Sequence, residues 1–311
     1  MKLFIQIPCL NEESTLKDTL NDLPKNIAGI DEIQILIIDD GSTDDTLKVA
    51  KDWGITHFVI HNSNKGLASA FRSGVAYCLE NGADIIVNTD GDNQYKGSFI
   101  KDLIAPITSQ NFDIVIGSRP INKINYFSFK KKILQKLGSY VVRKVSNTTI
   151  KDATSGFRAL SRSAAKNVRI IDDYTYTIDM IISSGRKNMK VISVPIEVNP
   201  MTRESRLIDS IFDYVIRSIR TIFRIFIIYS PLRFFSIIGT IFSSVGFFLC
   251  FRWLVLFYVF EHTRTHMPSL VLASITLSIG FLFYGIGILS DLISVNRELM
   301  QEINNKLEKL K

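Results

Sequence analysis

Two stretches near the carboxyl end limit what this chain can fold into more than any other feature. From Phe234 to Phe260, 27 residues carry a single charge, Arg252, and from Pro268 to Ser290, 23 residues carry none. The hydrocarbon core of a bilayer needs about 20 apolar residues of helix, so each stretch is long enough to cross it. The other reading is a pair of buried core helices. Core helices of soluble proteins usually keep a polar face, however, and these are apolar all round with seven residues between them. The pattern predicts a transmembrane hairpin over 233–293, with spans at about 234–260 and 268–290.

The flanks orient that hairpin. Arg203, Arg206, Arg217, Arg220, Arg224 and Arg233 precede the first span, and Arg297, Lys306, Lys309 and Lys311 follow the second, whereas the connecting EHTRTHM carries one Arg. The positive-inside rule then predicts an integral protein of the cell (inner) membrane, with the long part before the hairpin and both termini cytoplasmic. The opening MKLFIQIPCLNEE is interrupted by Gln6 and Pro8, so it reads as a first strand and not as a secretory signal.

Before the hairpin there is room for one domain of about 200 residues. Its first half alternates short β-branched runs (LFIQIPC, IQILIIDD, THFVIHN, DIIVNTD, FDIVIGSR) with helical segments such as LASAFRSGVAYCLENG. Runs of this kind are strands buried on both faces, so the class is α/β, a parallel sheet with crossover helices. A helix followed by a late strand is expected in YTYTIDMIISSGRKNMKVISVPIEV. Beyond them, the apolar spacing from Leu207 with interspersed Arg predicts an amphipathic juxtamembrane helix over 207–232, lying in the interface.

In a parallel sheet, ligands bind at the carboxyl ends of the strands. The residues there are acidic, and no Gly-x-Gly-x-x-Gly or Walker pattern accompanies them. In VNTDGDNQY, Asp90 and Asp92 flank one glycine. A plain turn accounts for the composition, since Asp, Asn and Gly favour reversals. Facing carboxylates also repel one another unless a cation sits between them, and Mg²⁺ or Mn²⁺ is often shared with substrate phosphates, such as those of a nucleoside diphosphate sugar. Cys9, Cys78 and Cys250 lack metal-ligand or disulfide spacing. The net charge of +7 is uneven: Arg119 to Lys151 holds nine Lys or Arg and no Asp or Glu. Beside a membrane hairpin, such a patch points to anionic lipid or a phosphorylated substrate and away from nucleic acid.

The ordered set IPCLNEE, DDGSTDDT, NKGLASAFRSG, TDGDNQY, GSR and DATSGFR resembles family 2 glycosyltransferases of the GT-A fold, a Rossmann-like nucleotide-diphospho-sugar transferase architecture. Within them it is similar to the polyisoprenyl-phosphate branch typified by dolichyl-phosphate mannose synthase. The resemblance covers roughly residues 3–206, so the GT-A domain is expected over 1–206, with 294–311 as a cytoplasmic tail. It implies a metal-dependent, inverting hexosyltransferase of cell-envelope glycan synthesis, acting on undecaprenyl or dolichyl phosphate. Asp90, Asp92 and Gln94 would hold Mg²⁺ or Mn²⁺. Pro8, Leu10, Glu12, Asp39, Asp40, Lys65, Gly66, Asp90, Gly91 and Arg119 would line the donor pocket. Asp92, Arg158 and Asp179 would serve catalysis, with Arg158 offering its fork to phosphate, and Arg203 and Arg206 would bind the acceptor phosphate.

Two other functions stay open on the sequence. One is transfer to a hydroxyl of a lipid-linked saccharide or other lipid. The other is a non-catalytic membrane scaffold with a degenerate enzyme domain. Gly239, Ser243, Gly246, Gly280, Gly285 and Gly287 would let helices pack closely within or between chains, so a homo-oligomer is a further expectation.

Overall fold

The computed structural model describes residues 1–121, 129–168, 176–200, 216, 220, 223–224, 227–260 and 267–308. Two compact units divide the chain, Met1–Ser218 and Ile219–Lys311.

In the first unit every β-branched run is a strand: β1 (Lys2–Cys9), β2 (Glu32–Asp39), β3 (His57–Ile60), β4 (Ile85–Asn88) and β5 (Ile114–Ser118). Between them lie α1 (Leu16–Asp22), α2 (Thr46–Trp53), α3 (Leu67–Glu80) and α4 (Ile100–Gln110). Then follow α5 (Phe129–Ser146), β6 (Arg158–Ser161), α6 (Arg162–Asn167), α7 (Tyr176–Arg186) and β7 (Val191–Pro195). The sheet order is β3-β2-β1-β4-β6-β5-β7. Leu3, Phe4, Ile5 and Ile7 of β1 are all fully buried, as a central strand covered on both faces requires.

The sheet departs from the expected parallel arrangement at one strand. β6 runs antiparallel between β4 and β5. Its four residues, RALS, carry an arginine and no apolar run, so nothing in them announces a buried strand. The consequence is positional. In register, Cys9 faces Asp39 and Gln6 faces Asn88, so the turns after β1, β2 and β4 emerge on one edge. Arg158 pairs with both Asn88 and Ile116, so β6 starts at that same edge and the 152–157 loop is delivered there.

In the second unit, α8 (Pro231–Phe260) and α9 (Met267–Glu308) form a helical pair. Their apolar stretches run 28 and 31 residues. At 1.5 Å per residue each is roughly 40 Å or more, enough for a hydrocarbon core of about 30 Å. Phe247, Phe248 and Phe251 on α8, and Phe281 and Leu282 on α9, are exposed, which the core helices of a soluble protein would not tolerate together. The helices approach through small residues: a Cβ on Gly239 would stand 2.9 Å from the Gly280 carbonyl oxygen, and one on Gly280 would overlap Ser243 Oγ. Thr240 Oγ1 and Tyr284 Oη meet across the pair at 2.9 Å. Gly285 faces open space.

Candidate active site

The wall after β1 is stitched to the acidic turn after β4. Pro8 and Glu12 are buried and Leu10 is half-buried. Thr15 Oγ1 lies 2.9 Å from Glu12 Oε2, and Thr15 Oγ1 and Thr19 Oγ1 lie 2.9 and 3.0 Å from the Gly91 carbonyl oxygen. Gly91 admits no side chain without crowding, because a Cβ there would stand 3.2 Å from Cys9 Sγ and 3.3 Å from Glu12 Cγ. The glycine between the two acids is therefore what lets the β1 and β4 loops touch.

Asp39 and Asp40, both buried at the end of β2, have different surroundings. Asp39 Oδ1 accepts a long bond from Ser42 N at 3.3 Å. Asp40 is saturated within the protein: Oδ1 pairs with His61 Nδ1 at 2.7 Å and Lys65 N at 2.9 Å, and Oδ2 accepts Gly66 N at 2.8 Å. His61 Nε2 in turn meets Ser73 Oγ at 3.0 Å. The order Asp-His-Ser matches a hydrolase triad, but Ser73 lies inside α3 and Asp40 also braces a loop, so this is a scaffold. Asp40 thus shapes the 65–66 turn through its own carboxylate. Gly66 sits at φ +88°, where a side chain would be strained, and Lys65 is exposed.

Asp90 and Asp92 lie on the turn after β4. Asp92 Oδ1 accepts the Gln94 N–H at 3.1 Å, while the Gln94 carbonyl accepts Asn199 N at 2.8 Å, so the chain after β7 clamps this turn. The Asp90 carboxyl is pushed up to about 7, by burial first and by the neighbouring Asp92 second, against the pull of Arg119. Among the described residues, no three His, Cys, Asp or Glu side chains gather into a metal centre. Two carboxylates that resist joint ionisation, with hard oxygens only, nevertheless fit a cation such as Mg²⁺ or Mn²⁺ that completes its shell with water and phosphate oxygens.

Arg119 does not reach outward. Its Nε and Nη2 grip Asp152 at 2.7 and 3.1 Å, and Nη2 also bonds Thr154 Oγ1 at 2.8 Å. Burial opposes both charges. Each is held ionised by the other, so Asp152 stays below the usual carboxylate range and Arg119 is raised. Arg158 is fully buried and donates to the carbonyls of Ser155 at 2.7 Å, Thr177 at 2.6 Å and Ala153 at 2.8 Å. Burial lowers it to about 10. It therefore ties the 152–157 loop to the start of α7. Asp179 lies on that helix and is buried.

Several contributors carried no sequence signal of their own. Tyr95 Oη accepts Gly156 N at 3.0 Å and its ring stacks on Phe157 at 5.0 Å. Asn88 Nδ2 donates to the Gly156 carbonyl at 2.9 Å, and Tyr176 stacks on Phe71 at 4.5 Å. Asp152 and Gly156 stood inside the quoted DATSGFR, and only a partner search in three dimensions separates them from loop residues. Arg203 and Arg206, most of the juxtamembrane 207–226 and the 261–266 connection lie outside the described residues.

Comparison with known proteins agrees with this architecture. An undecaprenyl-phosphate mannosyltransferase of Micrococcus luteus is 29% identical over 213 residues, covering 63% of this chain and 83% of its own. A UDP-N-acetylglucosamine–dolichyl-phosphate N-acetylglucosaminyltransferase of Methanococcus voltae is 31% identical, covering 53% and 71%. In fold the chain is similar to glucosyl-3-phosphoglycerate synthase of Mycobacterium tuberculosis, solved with Mn²⁺, UDP and glucosyl-3-phosphoglycerate (TM-score 0.56, 18% identity, 71% of this chain and 77% of that one). The family described as Glycosyl transferase family 2 matches residues 4–169, more than half of the chain. With the GT-A sheet and its acidic turn in place, the chain belongs to glycosyltransferase family 2.

Proposed function

We propose that this protein transfers a sugar, with inversion, from a nucleoside diphosphate sugar to a polyisoprenyl phosphate, at the cytoplasmic face of a membrane spanned by α8 and α9. The observation that carries the proposal is the Asp90–Asp92 pair on the ligand edge of the sheet, with a carboxyl raised until a cation relieves it. The relatives support the acceptor class by their names, and the neighbour solved with Mn²⁺ and UDP supports the donor class.

Bound Mg²⁺ or Mn²⁺ would neutralise charge growing on the departing nucleoside diphosphate. Asp90 and Asp92 would hold it, with Gln94 beside them. Pro8, Leu10 and Glu12 wall the nucleotide; Asp39 receives its donors; Asp40 sets the Lys65–Gly66 floor. Arg119 and Arg158 keep the 152–157 loop in place behind Asp90. Arg203 and Arg206 gather the lipid phosphate, which is already anionic near neutral pH and needs no strong base. Asp179 orients the acceptor side. Self-association through the hairpin belongs to the same proposal.

The test incubates membranes holding the protein with a panel of labelled nucleotide sugars, with and without undecaprenyl phosphate, and extracts the lipid product. The two relatives act on different sugars, so the panel also decides the donor. Absence of a lipid-phosphate-dependent product with every donor would overturn the reading.

A further inference from the structure

Gln6 is out of place in its strand. It stands in the middle of β1, between Ile5 and Ile7, and is fully buried. An amide on a central strand costs stability unless each of its polar atoms is paired. One is not: Gln6 Oε1 has no hydrogen-bond partner among the described residues. Helix α3 leaves room for that oxygen at Gly74, where a Cβ would stand 2.6 Å from it. An apolar side chain would fill the position with no orphaned oxygen, so packing alone does not account for a glutamine here.

The other end of the amide shows where the pairing leads. Gln6 and Asn88 are in register on β1 and β4, and Gln6 Nε2 donates to Asn88 Oδ1 at 2.9 Å. Asn88 Nδ2 donates to the Gly156 carbonyl at 2.9 Å. A carbonyl only accepts, so Asn88 must turn its NH₂ to Gly156 and its oxygen to Gln6, and Gln6 must answer with its own NH₂. The unpaired Gln6 Oε1 is what this order leaves over. Tyr176 Oη lies 3.4 Å from Asn88 Nδ2, too far to fix the amide by itself. Without Gln6, nothing opposes a flip of Asn88 that sets its oxygen against the Gly156 carbonyl, and two acceptors repel.

Gly156 is the residue whose α-carbon the Asp90 carboxylate rests against. We propose that Gln6 is a positioning residue for that carboxylate: by fixing the orientation of Asn88 it holds the Gly156 carbonyl, and through Gly156 the seat of Asp90. This role rests on Asp90 as a ligand of Mg²⁺ or Mn²⁺. The relay crosses from β1 through β4 to the loop before β6, and Gln6 acts on the metal only through it.

The test uses the full chain in lipid discs. Gln6→Met keeps the length of the side chain and removes both its donor and its orphaned oxygen. It is expected to weaken Mn²⁺ binding about tenfold, the lower end of what partners behind a metal ligand contribute, in an electron paramagnetic resonance titration. Hydrogen exchange in peptides covering 152–157 of the metal-free chain should quicken, while the melting temperature stays close to that of the wild type. Asn88→Leu should do the same, and Gln6→Met/Asn88→Leu should bind Mn²⁺ no worse than Asn88→Leu, because the two amides act in series. Gln6→Leu takes the place of Gln6→Met should the latter fail to fold. Unchanged Mn²⁺ affinity in Gln6→Met, or exchange at 152–157 no faster than wild type, overturns the proposal. So do losses that add in the double variant, since Gln6 would then act through the core at large. A wild-type chain that binds no Mn²⁺ overturns the metal role of Asp90 instead, and exchange at 152–157, read without metal, still decides whether Gln6 holds the loop.

Discussion

The Asp90 carboxylate lies against the α-carbon of Gly156, where an added Cβ would stand 2.9 and 3.0 Å from its two oxygens. Gly156 is itself pinned on both sides, by Tyr95 Oη and Asn88 Nδ2. The acid therefore has one place to stand, decided by a loop 66 positions further along the chain (156 − 90). Gly156→Ala is expected to push the carboxylate aside, weaken Mn²⁺ binding and lower turnover by about 10²-fold, the scale of a 1 Å misplacement. Mn²⁺ titration by electron paramagnetic resonance, beside circular dichroism for folding, checks it; wild-type affinity would contradict it.

Because the Asp90 carboxyl is raised to about 7, a cation must displace its proton at lower pH. Mn²⁺ affinity is expected to fall roughly tenfold per pH unit below about 7 and to level off above it. Stability carries the matching sign. The folded value exceeds the ordinary one of 3.8, so this carboxyl's contribution to the metal-free fold declines as pH rises through that window and is lost above about 7. The melting-temperature gap between Mn²⁺-loaded and chelated protein should be wider at about pH 8 than at about pH 6.

Arg119 and Asp152 form a buried bidentate pair. Asp152→Asn leaves a buried guanidinium without its counter-charge and is expected to cost about 3 kcal/mol or more. Denaturant unfolding of the detergent-solubilised protein reads this directly. An unchanged midpoint would mean the pair opens to water.

Acceptor chemistry separates two groups of residues. A hydroxyl acceptor needs a positioned base, an aid of about 10² to 10⁴-fold, whereas a phosphate monoester arrives ionised. Asp179→Asn is therefore expected to reduce turnover less than Arg203→Ala or Arg206→Ala, and the arginine variants should mainly weaken use of the lipid while sparing donor hydrolysis. A lipid titration at saturating donor measures both. If Asp179→Asn abolishes transfer and the arginine variants stay near wild type, a hydroxyl acceptor is the better assignment.

The hairpin offers an internal contrast. Gly280→Leu is expected to force α8 and α9 apart, because Ser243 and the Gly239 carbonyl occupy the space of its side chain. Gly285→Leu meets open space and should leave the hairpin intact, affecting only association between chains. Thermal aggregation in detergent tests the first and mass measurement in lipid discs the second.

The legible parts of this chain were those whose signal is local. Runs such as IQILIIDD and the uncharged spans declare burial within a dozen residues, and TDGDNQY declares a turn with two acids. Arg119 and Arg158 illustrate the limit. Both are arginines at strand ends, and nothing local in the sequence says that one is held by Asp152 and the other by three carbonyls. Their partners lie in a loop whose approach depends on the reversed direction of β6, which four residues of RALS do not announce. The partners of Asp40 were illegible for the same reason, since His61 and the 65–66 amides come from a neighbouring strand and its loop.

The reversed strand also bears on how the chain reaches its fold. β4 and β5 are made before β6, yet β6 must slide between them, so a slot has to stay open while the chain from 119 to 157 is still emerging or unfolded. Both flanks of that slot are long-range pairings, which form late because their loops close slowly. A nascent chain ending before Asp152 would own the acidic turns after β1, β2 and β4 and still lack a seat for Asp90, as Asp152, Gly156 and the backing carbonyls arrive just before and with the inserted strand. Metal capture is thus expected to report the last stage of folding, and stalled or truncated chains of this length should be inert toward Mn²⁺ and exposed to proteases along the open edges of β4 and β5.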